Sequence, residues 1–307
     1  MVRSPNPHRP RPRRLLDRPS TWGFLFILPW LAGFLIFTAG PMLTSLWLSF
    51  HKYDLHTLEY VGAENYRRLF VQDPLFWKAL QNTVLYAVFS VPLGVAGSLA
   101  IALLLNQPVR GVRLFRTLFY LPSLVPAVAS ALLWQWIFNS DNGALNLGLV
   151  SLGLPAIEWL QNEKWTLPAF ILMSLWGIGG GRMVIFLAGL QGIPDIFYEA
   201  ARIDGASAWQ QFRKVTLPLL SPVMFFNLVL GLIGSFQIFT SAYIMTGGGP
   251  NNASLFYALY LFRNAFEYFK LGKASAMAWI LFAILLALTV IQFRLSKRWV
   301  HYEGESK

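Results

Sequence analysis

Six stretches of roughly 20 residues or more, rich in Leu, Ile, Val, Phe and Ala and nearly free of charge, punctuate the chain at about 22–47, 81–105, 117–138, 167–190, 220–243 and 275–296. A helix rises about 1.5 Å per residue, so about 20 apolar residues match a hydrocarbon core about 30 Å thick. Backbone polar groups find no water there, and a spanning segment must satisfy them within itself. The expected fold is therefore an all-α, polytopic membrane helix bundle with six transmembrane helices. Composition agrees: 13% of residues are charged, where a soluble domain carries about a quarter.

No repeat of 20–50 residues breaks the bundle up, so residues 21–299 read as one membrane domain. Residues 1–20 are Pro- and Arg-rich without apolar periodicity, which predicts a disordered basic tail. Residues 300–307 form a second tail. The first apolar run is too long for a cleavable signal peptide, and no small-residue cleavage site follows it. There is no cysteine, which excludes disulfides, thiolate metal sites and palmitoylation.

The net charge of +11 is distributed unevenly. With the N-terminus on the cytoplasmic side, that side holds sixteen Lys and Arg: six in the first tail, three at 110–116, three at 202–214 and four after 293. The opposite loops hold eight, and Arg182 lies within a span. Basic residues accumulate on the cytoplasmic side, so both termini and the 191–219 segment are expected there. Topology accounts for the charge, and no nucleic-acid partner is implied; membrane lipid is.

One cytoplasmic segment has a design of its own. In IPDIFYEAARIDGASAWQQFRKVTLPLLSP, Pro194 and Asp195 suit a helix start. Ile196, Phe197, Ala200 and Ile203 share a face at helical spacing. Gly205 can take the left-handed conformation that ends a helix. Ser207 with Gln210 three residues on is a capping-box pattern. The segment 194–218 thus reads as helix, tight turn, helix. It fits either an amphipathic hairpin lying on the membrane or a docking element with a small-residue tip.

The motif Glu199-Ala200-Ala201, three residues, Gly205, nine residues, then Val215-x-Leu217-Pro218 resembles the EAA loop of permease subunits of bacterial ABC importers, with Val215 in place of the usual Ile. FLAGLQGIPDIFYEAARIDGASAW, GAENYRRLF, LFRTLFYLPSLVPAV and YIMTGGGPNNAS are similar to the carbohydrate-uptake branch, the MalF-like and glycerol-phosphate-permease-like sugar permeases. The likeness covers nearly everything after residue 20. It implies a type I ABC importer permease fold in a bacterial cytoplasmic (inner) membrane. It also implies a second permease subunit in a heterodimer, two copies of a cytoplasmic ATPase subunit and an external solute-binding protein. Glu199, Ala200, Ala201, Asp204, Gly205 and Ala206 would then couple to the ATPase. Thr246, Gly247, Gly248, Gly249 and Pro250, at an external loop, would receive the binding protein; the alternative for that loop is a flexible turn.

The chain has no G-x-x-x-x-G-K-[ST] phosphate loop, so it is expected to hold no cofactor itself, with ATP and Mg in the partner ATPase. Its four histidines lie outside the spans and form no HExxH pair, which speaks against a metal hydrolase. No catalytic residue is expected.

Arg182 follows Gly179-Gly180-Gly181. A charge within a span is a functional residue by default, and three glycines weaken a helix and open space beside it. Arg182 suits an anionic group or sugar hydroxyls; alternatively it pairs at a helix seam or snorkels outward. The resemblance places the substrate path near Ser174, Trp176, Gly177, Gly181 and Arg182, and near Ser235, Gln237 and Ile238 of the fifth span. Trp134, Trp136 and Trp176 could stack on a sugar or simply pack. The reading is the permease of an ATP-driven sugar importer. The alternatives are the same architecture importing glycerol phosphate or another anionic solute, or a stand-alone secondary transporter, which would need carboxylates within the spans.

Overall fold

The computed structural model describes residues 19–108 and 110–301. The first apolar run forms α1 (Pro19–Phe34) and α2 (Gly40–Ser49), joined through a π-helical turn at Leu35–Ala39. An antiparallel ribbon follows, β1 (His51–Tyr53) with β2 (Leu58–Tyr60), in the register His51↔Tyr60 and Tyr53↔Leu58. This ribbon is the one departure from the all-α expectation among the described residues. It is followed by α3 (Glu64–Val71) and α4 (Pro74–Leu105).

The third run is α5 (Val112–Tyr120), a 3-10 turn Leu121–Leu124, and α6 (Ala127–Ile137). A short α7 (Ala144–Ser151) precedes the fourth run. That run is α8 (Glu163–Leu175), a 3-10 turn Trp176–Gly179, and α9 (Gly181–Gln191). The hairpin expected at 194–218 comprises α10 (Asp195–Ile203), α11 (Ala208–Gln211), a π turn Phe212–Thr216 and α12 (Leu217–Leu219). The chain closes with α13 (Ser221–Phe236), α14 (Thr240–Met245), α15 (Tyr257–Phe262) and α16 (Leu271–Ser296).

All six apolar runs are helical, but they are not six straight rods. Four are long and apolar enough to cross a membrane unbroken: Phe26–Ser49, Pro74–Leu105, Ser221–Met245 and Leu271–Ser296. The other two are bent pairs, by 95° at 124–127 and by 44° at 179–181. Pro122 and Pro126 lie at the first bend, where missing N–H donors and fixed φ interrupt the ladder. The glycines lie at the second. The tail expected at 1–20 falls mostly outside the described residues, but Pro19 and Ser20 already open α1. Of the expected 300–307 tail, only Val300 and His301 are described; the His301 N–H donates to Ser221 Oγ at 2.9 Å.

α4 organises the bundle. Its 32 residues extend about 48 Å, and it packs against α8, α9 and α13. Asp73 fixes its start with both carboxylate oxygens. Oδ1 caps the helix, accepting from the N–H groups of Leu75 and Phe76 at 3.1 and 3.2 Å. Oδ2 accepts from Tyr260 Oη and Lys273 Nζ, each at 2.7 Å. One side chain thus ties the beginnings of α4 and α16 to α15. Burial pushes the Asp73 carboxyl up, but hydrogen bonds from Lys273 and Tyr260 more than offset this and hold it below its ordinary range. Gly272 lets α16 cross the ribbon, since a Cβ there would collide with the His51 carbonyl oxygen.

Two apolar clusters flank the middle of α4. One gathers Phe76, Tyr86, Trp134, Phe138, Phe170 and Phe256; the other gathers Val91, Val95, Leu99, Phe186, Leu190 and Leu220. The 176–180 break lies at the seam between them, with Trp176 packed on the first cluster and Ile178 on the second. The outer faces expose Val88, Phe89, Leu93, Leu132, Leu230 and Leu286, as expected of a surface facing lipid.

Candidate functional site

The two bends touch. A Cβ on Gly180 would lie 2.9 Å from the Ser123 Cβ, and one on Gly179 would run into the Phe119 carbonyl. Ser98 of α4 donates its hydroxyl to the Ile178 carbonyl at 2.7 Å, satisfying a backbone group that the break leaves free. Non-helical backbone at membrane depth persists where protein buries it or a cavity solvates it. Both conditions hold here.

Beside the breaks lies a cavity of about 530 Å³, lined by Tyr86, Ser90, Val91, Ser123, Ser174, Gly177, Gly180, Gly181, Arg182, Gly231, Gly234 and Ser235. That volume is in the usual range for small-molecule sites. An adjoining space of about 200 Å³ shares Tyr86, Ser174 and Gly234 and reaches Ile238 and Ser241.

Among the described residues, Arg182 is the one charged residue of the cavity lining. It sits in the first turn of α9, and two glycines on other helices make room for it. A Cβ on Gly94 of α4 would fall 2.6 Å from Nη1, and one on Gly231 of α13 would fall 3.2 Å from Nη2. Among the described residues no carboxylate pairs with it. Tyr86 is its electrostatic neighbour. An arginine at the centre of a span costs about 3 kcal/mol to insert, and among the described residues no seam ion pair offsets that cost here.

Three of the four serines of the lining present acceptors. Ser123 Oγ donates to the Tyr120 carbonyl at 2.7 Å, Ser174 to Ile171 at 2.6 Å and Ser235 to Leu232 at 2.7 Å. Each hydroxyl hydrogen is spent on the chain's own backbone, so the lone pairs remain for a ligand's O–H groups.

Of the residues expected on the path, Ser174, Gly177, Gly181, Arg182 and Ser235 line the main cavity, and Ile238 lines the adjoining one. Trp176 and Gln237 do not. Trp176 packs edge-on against the buried Trp134, ring centroids 6.0 Å apart. Gln237 lies past the end of α13 and is exposed. Trp136 also points away from the bundle, at 63% exposure. Tyr86 and Ser90 had not been expected. They precede Gly94 at four-residue steps along one stripe of α4, a spacing that gains meaning only once α4 is central.

The hairpin has the geometry that its residue pattern predicts. The Ala206 N–H donates to the Ala201 carbonyl at 2.8 Å and the Gly205 N–H to Arg202 at 3.0 Å, with Gly205 at φ +76°. These are the two bonds of a Schellman cap. The Ser207–Gln210 capping box is complete. Tyr198 Oη and Thr216 Oγ1, 3.0 Å apart, clasp the two arms. Ile196, Ile203 and Trp209 are exposed by 67%, 86% and 67%. Phe197, Ala200, Ala201, Asp204, Gly205 and Ala206 border a shallow groove, completed by Gln210, Lys214 and Val215; Glu199 is exposed beside it.

The 246–250 loop is folded inward. Thr246 and Ser254 share a hydroxyl hydrogen bond at 2.7 Å, Ser254 donates to the Gly249 carbonyl at 2.6 Å, and Arg263 donates to the Gly247 carbonyl. Gly247 and Gly248 have positive φ, at +54° and +92°. Gly248 is buried, while Asn251 next in line is exposed and donates to Glu163.

Comparison with known proteins accords with this architecture. Residues 91–301 match the family described as binding-protein-dependent transport system inner membrane component. The chain is 44% identical over 299 residues to the probable ABC transporter permease protein YesP of Bacillus subtilis (strain 168), covering 96% of each chain. It is 35% identical over 277 residues to the lactose transport system permease protein LacF of Rhizobium radiobacter, covering 88% of this chain and 92% of that one. A solved bacterial alginate ABC transporter, in complex with its alginate pentasaccharide-bound periplasmic protein, has a chain of the same fold. It superposes with a TM-score of 0.81 at 24% identity, over 94% of this chain and 98% of that one. The protein thus belongs to the inner membrane components of binding-protein-dependent transport systems, as a permease of the ABC type.

Proposed function

We propose that the chain is one permease half of an ATP-driven sugar importer. Relatives such as the lactose permease support sugar as the solute class, and the cavity's hydroxyl-lined wall suits a polyhydroxylated solute. The observation that carries the coupling role is the hairpin: a rigidly capped helix on the basic side of the bundle whose Ile196 and Ile203 are left uncovered. Burying those residues against another chain is favourable, and the Schellman turn fixes the angle at which they are presented.

In this reading two cytoplasmic ATPase subunits, which carry the ATP and Mg, seat on the EAA hairpins of this chain and of a second, similar permease. Both termini lie in the cytoplasm. A loaded external binding protein meets the opposite side, where the 246–250 loop and its exposed neighbour Asn251 form part of the contact. Closure of the ATPases turns the hairpin, and the helices it adjoins (α9 and α13) reorient the cavity between the two sides of the membrane. This chain performs no chemistry on the solute.

Co-purification from detergent-solubilised membranes tests the reading. The ATPase subunit is expected to accompany the wild-type chain and to be lost from Glu199→Ala/Gly205→Asp. An ATPase retained by the variant, or absent from well-expressed wild type after gentle crosslinking, would contradict it.

A further inference from the structure

We infer that the solute is an anionic saccharide, a polyhydroxylated molecule carrying one oxyanion, and that Arg182 is the residue that selects it. The inference rests on the cavity being the transport path. Its basis is the distribution of donors and acceptors around the wall.

Three of the four serines that line the cavity, Ser123, Ser174 and Ser235, give their hydrogens to backbone carbonyls. They are left as acceptors, matched to a sugar's O–H donors. Arg182 is the opposite: a guanidinium has five N–H donors and no acceptor. Among the described residues those donors meet no carboxylate and no hydrogen-bonded protein acceptor. They are not sealed in either. Arg116 Nε is buried without a hydrogen-bond partner, whereas no Arg182 nitrogen is. The cation therefore faces the cavity with its hydrogen bonds unspent.

Its position is built by the fold. Gly94 and Gly231 flank the guanidinium so closely that a side chain at either would press on it. The slot limits the plane's freedom while Arg182 still lines the cavity, and a planar guanidinium matches a carboxylate or phosphate bidentately. Among the described residues of this chain no Asp or Glu lines the cavity to neutralise it. A neutral sugar would leave a cation in a low-dielectric site with only hydroxyl dipoles for company. A solute bearing one negative charge completes the site.

The absence of cysteine makes a direct test possible. Ser235→Cys places the single thiol of this chain in the cavity, and the transporter is assembled in proteoliposomes with partner subunits freed of cysteine. The rate of its reaction with a small hydrophilic thiol reagent is measured with glucuronate, glucose 6-phosphate or glucose at millimolar concentration, in the Arg182 and Arg182→Gln backgrounds. The expected result is that an anionic probe slows labelling several-fold and glucose does not, with the protection lost in Arg182→Gln and partly kept in Arg182→Lys. Protection by glucuronate identifies a carboxylate solute, and by glucose 6-phosphate a phosphorylated one. Equal effects of glucose and both anions, no protection by any probe, or protection unchanged by Arg182→Gln would overturn the inference while leaving the sugar-importer reading in place. A thiol unreactive from both sides in every nucleotide state would overturn the cavity as the path, and the inference with it.

Discussion

Gly205 offers a perturbation whose size follows from geometry. It sits at φ +76° as the left-handed residue of the Schellman turn, and a Cβ added there would meet nothing within 4 Å. Within the chain, the cost of a side chain is therefore backbone strain alone, about 1–2 kcal/mol for an ordinary L-residue. That is about a 5–30-fold loss in the ratio of ordered to disordered turn. Asn tolerates this conformation and should lose least, Ala should lose more, and a β-branched Val most. ATP-driven uptake in proteoliposomes, at matched amounts of assembled transporter, is expected to fall in the order Gly, Asn, Ala, Val, with the fold of the spans intact. A Val variant with wild-type uptake, or an Asn variant as damaged as Val, would refute the argument that backbone conformation at this turn sets coupling.

Other outcomes follow from the same geometry. Gly179→Ala should yield little folded protein, because its Cβ runs into the Phe119 backbone. Gly181→Ala, whose Cβ has open space, should fold normally and alter uptake by narrowing the cavity; size-exclusion profiles and uptake separate the two. Asp73→Ala should lower thermal stability in detergent more than Asp73→Asn, since Asn keeps the helix cap, worth about 0.5–2 kcal/mol, and loses the ion pair with Lys273 and the acceptor for Tyr260. Because the Asp73 carboxyl is held below its ordinary value, its contribution is present above about pH 4 and is lost as the pH falls through its lowered folded value. Thermal melts of wild type and Asp73→Asn should therefore converge in acid and diverge near neutrality.

The apolar runs and the hairpin were legible because each rests on local rules: run length for the spans, and Gly205, Ser207 and Gln210 for the caps. The bends were less so. Hydropathy is blind to direction, and the apolar pattern continues through Pro122 and Pro126 although the helix axis turns there by 95°. The glycines at 179–181 announced a weak helix but not its phase. The 3-10 turn rotates Trp176 onto Trp134 and away from the cavity. Tyr86 and Ser90 escaped notice because one tyrosine and one serine in a long apolar helix look like ordinary packing. They matter through their relation to Arg182, which is far away in sequence and fixed by tertiary structure.

We place the transport path through the cavity at the paired helix breaks. A single thiol at Ser174→Cys in the assembled transporter tests it most directly. Labelling by membrane-impermeant reagents is measured from each side, with and without nucleotide. The account predicts reaction from the cytoplasmic side at rest and from the outer side when nucleotide closes the ATPases, with uptake blocked once the thiol is modified. Labelling that never changes side, or full uptake after complete modification, would contradict it.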